Sequence, residues 1–141
     1  MRKVISMLAV FLLCFALPVT ASANSFSCAI VQPYYEKANN ALSEVSLSAT
    51  NAICKSYVSG SPDVVKITAE QYLQKQGFLW IWTTYDGAEW TKTVNYNSLT
   101  MSNTKAGLTS GNYRLKTIFT LTDSAGKTET ITVYSDEKKV G

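Results

Sequence analysis

From Tyr113 to Val133 the chain alternates side chain by side chain. Tyr113, Leu115, Thr117, Phe119 and Leu121 fall on one face, "DSAG" offers a reversal, and Glu129, Ile131 and Val133 return along a partner. Successive side chains of a strand point to opposite faces, so this period suits a half-buried β-hairpin and leaves a helix without a continuous apolar stripe. The same period runs through residues 64–74, with Val65, Ile67, Ala69, Gln71 and Leu73 on one face and Lys66, Thr68, Glu70, Tyr72 and Gln74 on the other. Upstream, "EVSLSAT" and "AICKSYVSG" form an expected strand pair in which Val45 and Leu47 face Ala52, Cys54 and Val58, and "SGSPD" ends the second strand. "FLWIWTTY" (78–85) reads as a further strand closed by Asp86-Gly87, a dipeptide of tight turns. "WTKTVNYNSLTMSN" carries one or two more, with Leu99 and Met101 on a common face. Short strands separated at regular intervals by turn residues predict an all-β sandwich.

The start of the alternating hairpin narrows this to a type. In immunoglobulin-like sandwiches a Tyr near the start of the penultimate strand sends its hydroxyl to a backbone group a few residues upstream and pins the corner between the sheets. Leu108-x-x-Gly111-x-Tyr113-x-Leu115 has that form. Gly111 supplies backbone freedom, Leu108 packs beneath the corner, and Leu115 takes the buried place where antibody domains carry their second cysteine. An immunoglobulin-like antiparallel β-sandwich of about seven strands is the expected fold. Leu115 in place of that cysteine excludes the usual bridge between sheets, and so excludes an antibody-like domain.

The run from Ala41 to Ser135 resembles a group of small exported, uncharacterised, immunoglobulin-like proteins of Gram-positive bacteria. "AICKSYVSG", "VKITAEQYLQKQ", a strand containing Trp, "SGNYRLK" and "KTETITVYS" carry the likeness, most specifically Gly111-Asn112-Tyr113-Arg114 and Lys127-Thr128-Glu129-Thr130-Ile131-Thr132. The resemblance implies a fold and an address; it brings no activity and no binding residue with it.

The N-terminus supports the same address. Arg2 and Lys3 precede the apolar run Val4 to Leu17, and Ala21, Ser22 and Ala23 supply small residues of the kind signal peptidase reads, so cleavage is expected near Ala23. The apolar run is shorter than the roughly 20 residues of a membrane helix. Bulky Phe11, Leu12 and Leu13 ahead of Cys14 argue against a lipoprotein anchor. The expected organisation is a signal peptide (1–23), a lead-in segment (24–40) holding one strand or a short helical turn, and a sandwich (41–141). The mature chain is expected to be secreted, with no integral membrane segment.

Losing Arg2 and Lys3 takes the 13 basic residues to 11 against 10 acidic ones, and those that remain are scattered. Binding to a phosphate backbone draws on clustered positive charge, so nucleic acid is not an expected partner. Cys28 and Cys54 would survive cleavage. In an oxidising compartment they form a candidate disulfide, which would contribute about 3 kcal/mol by restricting the unfolded chain; two buried thiols are the other reading.

The 141 residues include no His, which removes the commonest general base, the commonest zinc ligand and the Ser/His and Cys/His nucleophile arrangements. The carboxylate pairs Asp86 with Glu89 and Asp136 with Glu137 fall at a predicted turn and near the C-terminus, where solvated charge explains them. No Asp-rich loop suits calcium. The expectation is a non-enzyme with no cofactor and no metal.

An aromatic surplus remains. On the predicted strand Phe78, Trp80 and Trp82 share a face, and Trp90 and Tyr96 could extend it. Planar aromatics offer a large rigid contact area with a polar handle, so Trp80, Trp82, Trp90 and Tyr96 form a candidate platform for an envelope glycan or a protein. Core packing of Trp80 and Trp82 is the bland alternative. The expected function is a secreted, non-catalytic binding module. The second reading is a secreted effector or self-associating protein using a free strand edge.

Overall fold

The computed structural model describes residues 34–141. The expected leader, most of the lead-in and Cys28 lie outside the described residues. Eight strands follow: β1 (Ala38–Ser48), β2 (Asn51–Gly60), β3 (Val64–Gln76), β4 (Trp82–Val94), β5 (Ser98–Lys105), β6 (Gly111–Asp123), β7 (Thr128–Tyr134) and β8 (Lys138–Val140). They form two antiparallel sheets, one in the order β1-β2-β5 and one in the order β4-β3-β6-β7, with β8 paired to the start of β6. The all-β sandwich is therefore as expected. The constant immunoglobulin arrangement sets its fourth strand beside the fifth; here β4 pairs with β3 instead.

Alternation places the core. Along β6, Tyr113, Leu115, Thr117, Phe119 and Leu121 are fully buried and the residues between them are half-buried. Val45 pairs with Cys54 and Leu47 with Ala52, which turns these side chains inward together. Burying a Leu, Ile or Phe side chain contributes roughly 1.5–3 kcal/mol, so this face outweighs any single local preference. Four details depart from expectation. β1 already begins at Ala38, within the expected lead-in. Val65 faces solvent, because the pairing of β3 with β6 shifts register between Val64 and Lys66. Asp86-Gly87 makes no turn: β4 runs through it, and residues 85–88 bulge where the partners of Tyr72 and Gln74 jump from Glu89 to Thr84. β8 is an added strand, too short to show a period.

A polar belt crosses the interior between two apolar clusters. One cluster holds Ile67, Phe119 and Leu121, the other Val45, Leu73, Tyr113 and Leu115. Between them the Gln71 amide donates to Ser56 Oγ at 2.6 Å, Ser56 and Thr117 share a hydroxyl bond of 2.7 Å, and Thr117 and Ser43 share one of 2.9 Å. Asn103 Nδ2 donates to Gln71 Oε1 at 2.7 Å. Each sheet contributes members, so the belt ties the sheets together through groups whose burial would otherwise be costly.

The end of the sandwich where β3 begins is clasped by Lys37. Its ammonium donates to Asp123, and Glu129 accepts the backbone N–H groups of Glu36 and Lys37. The Lys37 bond is the chief reason that the Asp123 carboxyl lies below its usual range, helped by the N–H groups of Lys127 and Ala125 against the cost of burial. The same bond holds the Lys37 ammonium above its usual range. A lowered carboxyl stabilises above its unfolded pKa, near 3.9, and that contribution fades as pH falls through the folded value. A raised ammonium stabilises below its unfolded pKa, near 10.5, and fades as pH rises through the folded value. The expected result is that Asp123→Asn has a lower urea midpoint than the parent from about pH 5 to 10, and that the gap closes below about pH 4.

Candidate functional site

The pairing of Gln76 with Trp82 leaves residues 77–81 to reverse the chain between β3 and β4. The Gly77 N–H donates to the Ile81 carbonyl at 2.8 Å, and the Ile81 N–H donates to the Phe78 carbonyl at 3.3 Å. Between them Leu79 (φ 57°, ψ 30°) and Trp80 (φ 58°) are both left-handed. Two successive positive φ values suit a two-residue hairpin turn, a place usually filled by Asn-Gly or Asp-Gly. Left-handed backbone costs an ordinary L-residue about 1–2 kcal/mol. Neither side chain offsets that cost by packing inward: Phe78, Leu79, Trp80 and Ile81 are 86, 64, 77 and 59% exposed. The strand expected over 78–85 is thus a turn as far as Ile81, and Phe78, Trp80 and Trp82 share no strand face. The apolar alternation of "FLWIW" hides a reversal that the hairpin register imposes.

Trp82, the first residue of β4, stacks on a cation. The Arg114 guanidinium lies 4.3 Å from its ring centroid and 4.4 Å from that of Tyr134, while Arg114 Nε donates to Gln74 Oε1 at 2.9 Å. The stack reaches from β4 to β7. Such contacts contribute about 0.5–1 kcal/mol each at exposed sites. In the sequence Arg114 stands between the core-facing residues Tyr113 and Leu115 of β6 with nothing to mark it out; its ring partners come from strands distant along the chain. Lower on this sheet the Lys116 ammonium sits 5.9 Å from the Tyr72 ring centroid. Burial, with the Glu70 and Glu89 carboxylates, pushes the Tyr72 phenol up.

The four aromatics of the expected platform are dispersed. Trp80 is at the hairpin tip and Trp82 is in the Arg114 stack. Trp90 packs half-buried against both apolar clusters. Tyr96, 67% exposed, follows the end of β4 where Val94 meets Ile67, near the start of β3, so the length of the sheet separates it from Trp80. One contiguous surface cannot include all four. The signal for the site that does form is the unbroken exposed run Phe78–Ile81, of which the sequence pattern singles out only the aromatic half.

The corner residues lie near the same end. The Tyr113 hydroxyl donates to the Thr109 carbonyl at 2.6 Å, with its ring fully buried. Tyr85 meets that ring edge-on, centroids 5.6 Å apart, and donates to the Gly107 carbonyl at 3.1 Å. Gly111 has φ 148°, a backbone angle that calls for glycine, whereas the nearest atoms a Cβ there would meet belong to the flexible end of Lys75. Leu108 and Leu115 are buried in the cluster that also holds Cys54. Among the described residues Cys54 has no disulfide partner, and burial pushes its thiol up to about 12. Its candidate disulfide partner, Cys28, is among the residues not described.

No protein-family model matches this chain, and no curated protein matches it. Among solved structures it is similar to wild-type OgpA from Akkermansia muciniphila, with 16% identity over 73% of this chain and 30% of that one, at a TM-score of 0.39. It is similar also to catalytically inactive OgpA in complex with an O-glycopeptide (glycodrosocin) substrate, with 16% identity over 81% of this chain and 34% of that one, again at 0.39. The chain spans about a third of the length of OgpA.

Proposed function

We propose that this chain is an exported, non-catalytic binding module that attaches at or outside the cell envelope through the tip of the β3–β4 hairpin. The observation that carries the reading is the pair of bulky apolar residues, Leu79 and Trp80, held in left-handed backbone with their side chains in solvent. Strained backbone of this kind persists where the surroundings over-determine it, and it concentrates at ligand clamps and switch regions. The absence of His from the sequence supports a role without proton transfer. The leader pattern supports export.

The test uses the double variant Leu79→Asn/Trp80→Gly, which installs a residue pair favoured by this turn and removes the apolar tip. The mature parent and the variant are incubated with isolated Gram-positive cell envelopes and the bound fraction is measured by sedimentation. The parent is expected to be retained, and the variant at least about tenfold less, the loss of about 1.4 kcal/mol of binding free energy, with an unfolding midpoint that is unchanged or higher. Equal retention of both proteins sinks the reading.

A further inference from the structure

The tip is an unbroken run of four exposed apolar side chains. No charged residue lies between Lys75 and Asp86, and Phe78, Leu79, Trp80 and Ile81 are all more than half exposed, two on each side of the apex. We propose that the occupant is a lipid bilayer, into whose headgroup and acyl boundary the tip inserts these four side chains. The proposal rests on the reading above that the tip is the contact, and it names what the tip contacts.

Three features favour lipid over sugar or a protein pocket. A fluid medium adapts to cover all four exposed side chains at once, whereas a rigid partner must be shaped to match them. The tip has few hydrogen-bonding side-chain groups to orient a sugar, the Trp80 indole N–H being its one donor. Its backbone also tolerates shallow burial. Gly77, Phe78 and Ile81 satisfy one another across the base of the turn, and the peptide groups at the apex need only the water that persists at a depth of about 5–10 Å, where amphipathic segments and Trp side chains settle.

Lysines gather at the same end. Lys75 sits opposite Tyr113, Tyr113 opposite Lys138, and Asn112 opposite Lys139, while Asn112 Nδ2 donates to Gln76 Oε1 at the base of the hairpin. Asp136 and Glu137 lie exposed just before Lys138, which keeps the preference for anionic lipid modest. Apolar insertion sets the binding, and the lysines strengthen it.

Sedimentation with vesicles of phosphatidylcholine, alone and mixed with phosphatidylglycerol, tests the proposal. The mature parent is expected to bind both, the mixed vesicles more tightly, and acyl-brominated lipid is expected to quench part of its Trp emission. Leu79→Asn/Trp80→Gly should lose at least tenfold in partition, together with that quenching. Lys138→Gln/Lys139→Gln should lose several-fold on the mixed vesicles and little on the neutral ones. Vesicle binding that is absent, or equal for parent and tip variant, overturns the lipid assignment. So does retention that depends on the tip but persists on envelopes stripped of lipid; that outcome would assign the tip to a protein or glycan and leave the module reading standing. Envelope retention indifferent to the tip brings down both.

Discussion

Tyr113→Ala is expected to lower stability by about 3–5 kcal/mol, read as a fall in the urea midpoint, whereas Tyr113→Phe should lose only about 1–2 kcal/mol. The two variants separate two roles of one side chain. The ring is among the largest fully buried groups and packs with Leu73, Leu108 and Leu115, so truncation leaves a cavity beneath the crossing from β5 to β6. The hydroxyl donates to the Thr109 carbonyl at 2.6 Å and shares a longer bond of 3.4 Å with the Thr109 hydroxyl, and without it that carbonyl must find water or go without a partner. Set against the 5–15 kcal/mol of a typical domain, the Ala variant is expected to be partly unfolded near physiological temperature and the Phe variant folded. An Ala variant that loses less than about 1 kcal/mol would show that the corner does not hold the sheets.

The belt gives the second large effect. Gln71→Leu keeps the side chain close in size but removes the acceptor for Asn103 and the donor to Ser56. Thr117→Val keeps its shape and removes the hydroxyl that joins Ser56 to Ser43. Each is expected to cost about 1–3 kcal/mol, the cost of leaving a buried polar partner unsatisfied. Ser56 touches both sites, so the double variant should depart from the sum of the single ones by at least about 0.5 kcal/mol. Additivity in a urea-melt cycle would show that the hydroxyls and amides act as isolated pairs.

These two regions also mark what can be read from residues in order. The alternation of β6 and β7 and the spacing from Leu108 to Leu115 are local patterns, and they lead to the sandwich because burial enforces a period of two. Gln71 sits on the apolar face of β3, where alternation places it, but its partners Ser56 and Asn103 come from the other sheet. No local pattern announces them. The hairpin tip is obscured for the opposite reason: "FLWIW" imitates a strand, and only the register between Gln76 and Trp82 forces the turn. Asp86-Gly87 carries a turn signal that a bulge uses instead, since positive φ at Gly87 suits either. Trp82 and Arg114 are legible as residue types, but their stacking depends on β4, β3, β6 and β7 lying side by side.

The sulfur at position 54 gives the molecule a built-in clock. It lies in the apolar cluster between the sheets, fully shielded, and its ionisation is driven far above neutral pH, so in the reduced protein an alkylating reagent must wait for the layers to part. The rate at which that one site acquires a label, followed by peptide mapping, therefore counts spontaneous separations of the two halves. It reports how often the interior breathes without denaturant.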